Sequence, residues 1–193
     1  MPIRYAHQIV PQVPAQLPRY LDTEFRRIKA AFDQVTDSRA ETLLVGYELA
    51  DQSPTGLGDA GKIQLKFGAP QMTPQDPVQL LADGSIVFNR ADQYELDVRL
   101  VFQRTTQPGD ALLFVRGLIN GVQFGNPVAV SMLEADVAVP QQMFLTSAIP
   151  QGAIVTLELA RDPAGVNDGL LSTLASTMGW GTAPSSVIRI ARA

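Results

Sequence analysis

The stretch Tyr94-Glu-Leu-Asp-Val-Arg-Leu-Val-Phe102 alternates large apolar side chains with charged ones. In an extended chain the apolar residues share one face, and Glu95, Asp97 and Arg99 lie on the other. A period of two is typical of a half-buried strand in an antiparallel sheet, with one face in the core and one in water. The stretch therefore predicts a mainly β protein.

Residues 43–193 repeat this signal in short runs. Asn120-Gly121 separates Leu112–Ile119 from Val122–Phe124 and predicts a hairpin, because this pair tolerates the two positive φ angles of a type I′ turn. Further strands are expected at Leu43–Leu49, Lys62–Phe67, Val78–Leu81, Ser85–Asn89, Val128–Leu133, Gln142–Ala148, Ala153–Ala160, Leu171–Thr177 and Ser186–Ala191. Strands at this spacing indicate an antiparallel β-sandwich or jelly roll.

Residues 18–39 follow a different period and predict one amphipathic helix. Its large apolar side chains are spaced 4, 3, 4 and 3 residues apart and form a narrow seam: Leu21, Phe25, Ile28, Phe32 and Val35. Two heptads are marginal as an isolated helix, so the seam needs a partner. We expect a parallel homotrimer, and the alternative is packing against the chain's own domain.

Residues 1–17 predict an extended arm. Four of the fourteen prolines lie within residues 1–18, and proline favours extended geometry in itself and its predecessor. The segment is also too apolar for a simple solvated linker, with Ile9, Val10 and Val13 as candidates for docking on a larger particle. A frayed terminus is the alternative interpretation.

Composition argues against several classes of function. Residues 1–42 carry six basic and five acidic groups, and residues 43–193 carry nine and fourteen, so the larger part has a net charge of −5. This balance argues against nucleic-acid binding, which needs clustered Lys and Arg. The absence of cysteine removes disulfides and thiolate metal sites. No apolar run approaches the ~20 residues of a membrane span, so we expect no membrane insertion.

Motifs for catalysis or cofactor binding are weak. Gly56-Leu-Gly-Asp-Ala-Gly61 fits the letters of a dinucleotide fingerprint, but a strand-like segment follows where the fingerprint needs a helix, so we interpret it as a loop. His7 is the only histidine, and it lies in the arm, so no Ser-His-Asp set can form within the domain. We predict no enzyme activity and no cofactor.

Two pairs of carboxylates two residues apart are candidates for a glycosidase or a calcium site: Glu95 with Asp97, and Glu134 with Asp136. A solvated outer sheet face accounts for both pairs more simply, and we predict no metal site. The only tryptophan, Trp180, is flanked by glycines. It is interpreted as a core residue, a subunit contact or a glycan contact.

The order of motifs is similar to that of the C1q/tumour-necrosis-factor-like jelly roll. The motifs are the strand Tyr94–Phe102, the turn Pro108–Asp110, the Asn-Gly hairpin, the segment Ile149–Leu157 and the closing strand Ser185–Ile190. Ala153 stands where the family usually has an acid, and the closing strand lacks the family's aromatic-Gly pattern. The resemblance implies a compact homotrimer, and the family also occurs in bacteriophage fibres and head decorations.

The leader Pro14-x-x-Leu-Pro-x-Tyr-Leu-x-x-Glu-Phe-x-x-Ile28 resembles the arm-and-helix leaders of phage virion proteins. Together the two resemblances imply a structural virion protein, assembled in the host cytoplasm as a decoration (cement) protein or a short head or tail fibre. Its partners would be capsid, portal or tail proteins. The alternatives are a tail adhesin that recognises a host surface glycan, and a small glycan-active enzyme that uses a carboxylate pair.

Overall fold

The computed structural model describes residues 25–26, 41–73, 76–105, 109–135, 137–179 and 181–193. The chain divides into two compact units, Met1–Glu41 and Thr42–Ala193. In the first unit, Phe25 and Arg26 have helical backbone. The arm predicted at residues 1–17 and the rest of the helix predicted at residues 18–39 lie outside the described residues and stay predictions.

The second unit is mainly β, as the sequence predicts. Its strands within the described residues are β1 Thr42–Glu48, β2 Ile63–Gln64, β3 Val78–Leu80, β4 Ile86–Phe88, β5 Asp92–Gln103, β6 Ala111–Ile119, β7 Val122–Met132, β8 Val139–Ile149, β9 Ala153–Arg161, β10 Leu170–Leu171, β11 Leu174–Ala175, β12 Thr182–Ala183 and β13 Ser186–Arg192. A short 3-10 turn lies at Asp59–Gly61. Within the same residues, no helix has the length and apolarity to cross a membrane.

In this described part of the chain the strands form two main antiparallel sheets. The first sheet has the order β1-β13-β5-β10, and β8 pairs with β5 on its other side. The second sheet has the order β3-β4-β9-β6-β7, and β2 also pairs with β9. A separate small sheet consists of β11 and β12. Two such sheets around a shared core are consistent with a β-sandwich.

The strand β5 confirms the alternation seen in the sequence. Glu95 and Arg99, on the outer face of the strand, are exposed. The apolar residues that alternate with them are fully buried. The strand pairs with β13 on one side and with β8 on the other, over most of its length. Because both neighbours depend on it, β5 sets the register of the first sheet.

The core lies between the two sheets and takes residues from both. Phe88 on β4 of the second sheet contacts Tyr94 on β5 of the first sheet, with ring centroids 4.6 Å apart and an interplanar angle of 62°. This edge-to-face geometry is favourable for aromatic pairs. The Tyr94 hydroxyl donates a hydrogen bond to the carbonyl oxygen of Arg90 at 2.9 Å, so its polar end is satisfied.

The Asn-Gly hairpin is confirmed, with positive φ at both Asn120 and Gly121. The expectation of separate strands at Val122–Phe124 and Val128–Leu133 was wrong, because both belong to β7. Three residues of β7, 125–127, lie opposite Arg116 alone, which makes a bulge. Gly125 supplies a positive φ and Pro127 lacks an N–H, so this point of the strand suits a bulge and not a regular ladder.

The prediction of one continuous strand at Leu171–Thr177 was also wrong. Leu170 and Leu171 pair with β5, whereas Leu174 and Ala175 pair with β12. Between them, the backbone N–H and the hydroxyl of Thr173 both donate hydrogen bonds to the Asp51 carboxylate. These side-chain bonds draw the chain out of the β5 ladder.

Gly46 on β1 lies where the two sheets approach closely. A Cβ atom at this position would lie 2.6 Å from the carbonyl oxygen of Phe67 and 3.0 Å from the Leu80 side chain. We expect Gly46→Ala to lower the free energy of unfolding by about 1–3 kcal/mol, because backbone must shift to admit the methyl group. Urea unfolding followed by tryptophan fluorescence or circular dichroism measures this.

Gly56→Ala is the matched control, since a Cβ there meets its nearest atom at an ordinary 3.8 Å. We expect it to change the stability by less than about 0.5 kcal/mol. Equal stability of the two variants would contradict the close approach at β1.

Candidate functional site

The outer face of the first sheet carries exposed apolar side chains on its edge strands. On β1, Val45 and Tyr47 are 47% and 55% exposed, and on β8 Phe144 is 72% exposed. One row across the sheet runs from Val45 through Arg189 and Asp97 to Phe144. With strands about 4.8 Å apart, the apolar groups of this row lie about 14 Å from each other. The face is therefore apolar at both edges and charged between them.

The charged centre of this face is an internal network. Asp97 accepts hydrogen bonds from Arg99 Nη2 at 3.1 Å and from Gln142 Nε2 at 2.8 Å. Arg189, opposite Asp97 in the ladder, donates from Nε to Thr42 Oγ1 at 3.0 Å. The side-chain oxygens of Asp97 are thus occupied by neighbours on the same face.

A depression of about 330 Å³ opens beside β1. We call it the β1-edge depression, and its lining consists of Tyr47, Glu48, Leu49, Phe67, Gly68, Ala69 and Gln71. Tyr47 and Leu49 are both more than half exposed there. The apolar β1 edge of the first sheet therefore contains a concave surface.

The second sheet carries a closed ring of alternating charges on its outer side, formed by Asp59, Lys62, Arg116 and Glu158. Lys62 Nζ lies 3.3 Å from Asp59 Oδ1 and 3.4 Å from Glu158 Oε1. Arg116 Nη2 lies 3.0 Å from Asp59 Oδ1 and 2.6 Å from Glu158 Oε2. The side-chain hydrogen bond with Glu158 is the main cause that raises the pKa of the Arg116 guanidinium above its ordinary value. We call these four residues the charge ring.

Two strands and one loop bring the charge ring together. Arg116 on β6 and Glu158 on β9 are direct cross-strand partners. Asp59 comes from the glycine-rich segment, where a Cβ on Gly61 would lie 2.3 Å from the carbonyl carbon of Gly56. Because the segment turns back on itself and enters a 3-10 turn, it lacks the α-helix N-terminus of a dinucleotide site.

Beside the charge ring lies a second depression, of about 230 Å³. We call it the β6–β9 depression. Arg116 and Glu158 line one part of it, and its other walls include Phe114, Gln123, Pro127 and Pro163. Charged hydrogen-bonding groups and apolar surface therefore meet in one small concavity.

A buried arginine, Arg161, fastens two loops to the end of β9. Its Nε donates to the carbonyl oxygens of Asp168 and Gly169, and Nη1 donates to that of Pro54 at 2.7 Å. Nη2 donates to Ser53 Oγ at 2.8 Å and again to Gly169. Burial lowers the pKa of Arg161, while the Asp168 carboxylate acts in the opposite direction. The filled hydrogen-bonding capacity marks a structural role.

A second buried arginine, Arg104, is 2% exposed. Its Nη1 donates to the carbonyl oxygens of Gly109, Met132 and Leu133. Its Nε lies 3.7 Å from Asp168 Oδ2. Both arginines therefore interact electrostatically with the buried Asp168, and their hydrogen bonds to backbone carbonyl groups tie the ends of β5, β7 and β9 together.

Most site residues predicted from the sequence lie outside the described part of the chain. Phe25 of the seam is 67% exposed, and Glu95, Asp97 and Glu134 are in the described part of the chain. The predicted residues outside the described part are His7, Ile9, Val10, Val13, Leu21, Ile28, Phe32, Val35, Asp136 and Trp180. Among the described residues, no group of three or more acids or histidines is arranged to hold a metal ion.

The charge ring and the buried arginines were missed by sequence reasoning. Arg116 and Glu158 do appear as single charges within apolar strands, but only the register of β6 against β9 places them together. Arg104 and Arg161 continue the buried faces of β5 and β9 at the period of two, so the alternation could have indicated their burial. The carbonyl groups that satisfy them come from distant segments and could not be read from the sequence.

No protein-family model matches this sequence, and no curated protein matches it. Among solved structures, the Eiger TNF from S. frugiperda is similar to this chain with a TM-score of 0.40 and 10% sequence identity. The match covers 77% of this chain and 93% of that one. With a likeness of this size, the function of this chain has to be argued from its own residues.

The buried arginine gives a sharp stability test. We expect Arg161→Met to lower the free energy of unfolding by about 3–5 kcal/mol, because it leaves the buried backbone carbonyl oxygens of Pro54, Asp168 and Gly169 without their charged donor. Urea unfolding provides the measurement. Arg99→Met is the control, since the Arg99 side chain is 64% exposed and its ion pair with Asp97 is worth about 1 kcal/mol or less. Similar losses in both variants would contradict the structural role of Arg161.

Proposed function

We propose that this chain is a non-enzymatic structural protein of a bacteriophage particle, a homotrimer with a jelly-roll domain that its arm and helix attach to the particle. The observation that carries the proposal is the outer face of the first sheet, which is apolar at both edges and charged between them. The rest of the proposal draws on the sequence of the first 39 residues.

The placement of the apolar groups favours a ring over a two-fold dimer. Phe144 projects from β8 at one edge, and the β1-edge depression opens beside Tyr47 at the opposite edge. A projection and a hollow at opposite edges are complementary head to tail, with the β8 edge of one copy against the β1 edge of the next. Such heterologous contacts close into rings when the rotation permits.

The exposed apolar side chains at the two edges of the first sheet are large enough to contribute to association. Burying the side chains of Phe144, Tyr47 and Val45 would contribute about 5 kcal/mol per contact at the usual 1.5–3 kcal/mol for each large apolar side chain. This gain has to exceed the loss of translational and rotational freedom on association. Three contacts per ring, together with the predicted helix seam, would add to it.

The arm supports the attachment step. Ile9, Val10 and Val13 form a short apolar strip in a proline-rich segment, which would need little ordering to dock. A trimer carries three such arms, so weak individual contacts with capsid, portal or tail proteins would act together. The resemblance of residues 14–28 to virion leaders is what points to a bacteriophage particle.

The trimer is tested by mass in solution. Light scattering should give a mass of about three times that of the 20.8 kDa chain. The Phe144→Glu variant should have the mass of a single chain, because burying a carboxylate in an apolar contact is too costly. Val122→Glu is the control, since Val122 is equally exposed, at 71%, but lies on β7 of the second sheet. A parent chain that is monomeric, or an equal effect of both variants, would overturn the proposed trimer.

The attachment is tested separately by removing residues 1–17. The truncated protein should keep the trimer mass but no longer co-sediment with purified particles of the virus that encodes it. A full-length variant with Ile9, Val10 and Val13 changed to serine should behave like the truncation, because the apolar strip is the expected contact. A truncated form that still decorates the particles would exclude the arm as the attachment.

A further inference from the structure

We propose that the β6–β9 depression binds one neutral sugar unit. The proposal concerns the outer side of the second sheet, away from the edges of the first sheet where the trimer contact is placed. It therefore stands or fails independently of the trimer. Four observations carry it: the balance of charge, the hydrogen-bonding capacity left over, the apolar walls and the size of the cavity.

The charge ring has two cations and two carboxylates, so its net charge is zero. Each of its members already has an opposite charge within 3.4 Å. A charged ligand would have to compete with an existing ion pair, and the site offers no excess charge to attract it. A neutral ligand avoids this competition and leaves the ring intact.

The ring nevertheless has free hydrogen-bonding capacity. Arg116 has five N–H donors, and within the described residues its hydrogen bonds leave from Nε and Nη2. Each carboxylate of the ring can accept about four hydrogen bonds, more than its ion-pair partners supply. The Gln123 side-chain amide also lines the depression; its Nε2 donates one hydrogen bond to the Gly125 carbonyl oxygen, which leaves one N–H and the amide oxygen for a ligand. Vicinal hydroxyl groups, which both donate and accept, match this mixture of donors and acceptors.

The remaining walls are apolar. Phe114 on β6 is half-buried and faces outward with its cross-strand partner Ala160, and Pro127 and Pro163 stand on the sides. Aromatic and proline surfaces of this kind can pack against the apolar C–H face of a sugar ring, whose hydroxyl groups point outward to polar partners. A site with polar groups on one side and apolar walls on the other is suited to a ligand that has both polar and apolar surfaces.

The volume of the β6–β9 depression limits the ligand to one sugar ring. Pockets for drug-sized ligands usually measure about 300–1,000 Å³, and this cavity is smaller, at about 230 Å³. The exposure of Asp59 leaves one side open, so the rest of a saccharide chain could continue into solvent. Two paired strands and a loop closed by glycine contacts hold the groups in place, so binding needs little reorganisation.

Saturation-transfer difference NMR tests the proposal with defined probes, the methyl glycosides of glucose, galactose, mannose and N-acetylglucosamine. At least one of them should bind saturably, in the millimolar range. Arg116→Met should weaken that binding about tenfold, the effect expected for losing hydrogen bonds to a charged group. Arg99→Met, which removes an exposed arginine paired with an acid on the first sheet, should change it by less than about twofold.

Several results would overturn the proposal. These are the failure of all four glycosides to bind saturably, and equal binding by the Arg116 and Arg99 variants. Tighter binding of glucuronate or glucosamine than of methyl glucoside would also contradict it, because the argument requires a neutral ligand. If Arg116→Met does not fold, Gln123→Ala replaces it, since this exposed side chain lies outside the ion pairs. Its loss should weaken binding by about three- to tenfold, because the amide is neutral, and unchanged binding would overturn the proposal.

Discussion

The fold depends on the register of β5 within the first sheet. The strand pairs with β13 over residues 94–100 and with β8 over residues 92–102, so it holds both neighbours in place. Its side chains have a period of two, and a slip by one residue would place Glu95, Asp97 and Arg99 in the core. Burying these three charged side chains is far more costly than any gain such a slip could offer, so the pattern admits one register. The same constraint fixes what the outer face presents to solvent.

Local patterns explain which elements could be predicted. The alternation of β5 and the Asn120-Gly121 turn need only their own residues, and both were predicted correctly. The continuity of β7 through its bulge depends on which residue of β6 lies opposite, and the sequence does not contain that register. The break after β10 depends on Asp51, more than one hundred residues away. Such contacts exist only after the chain has folded.

The candidate site also depends on contacts that local sequence patterns do not contain. The charge ring takes its four members from a loop, from β6 and from β9, so no spacing in the sequence predicts it. The glycine-rich segment is instructive, because its letters fit a dinucleotide fingerprint for a physical reason. Both structures need glycine where backbones approach closely, and here the approach is between Gly56 and Gly61 of one loop. The glycine spacing therefore reflects the close contact, and the interpretation of the segment as a loop agrees with the short 3-10 turn at Asp59–Gly61.

The charges at the centre of the first sheet constrain how copies of this chain can meet. Asp97 accepts hydrogen bonds from Arg99 and Gln142, and Arg189 donates to Thr42, on a face that is open to water. Stacking two such faces directly would remove these charges from water, and the desolvation penalty of buried ion pairs often exceeds their attraction. A contact between the β8 edge of one copy and the β1 edge of the next buries Phe144 and Tyr47 but leaves the central charges accessible. For this reason the distribution of charge, and not only that of apolar surface, favours a ring of head-to-tail contacts.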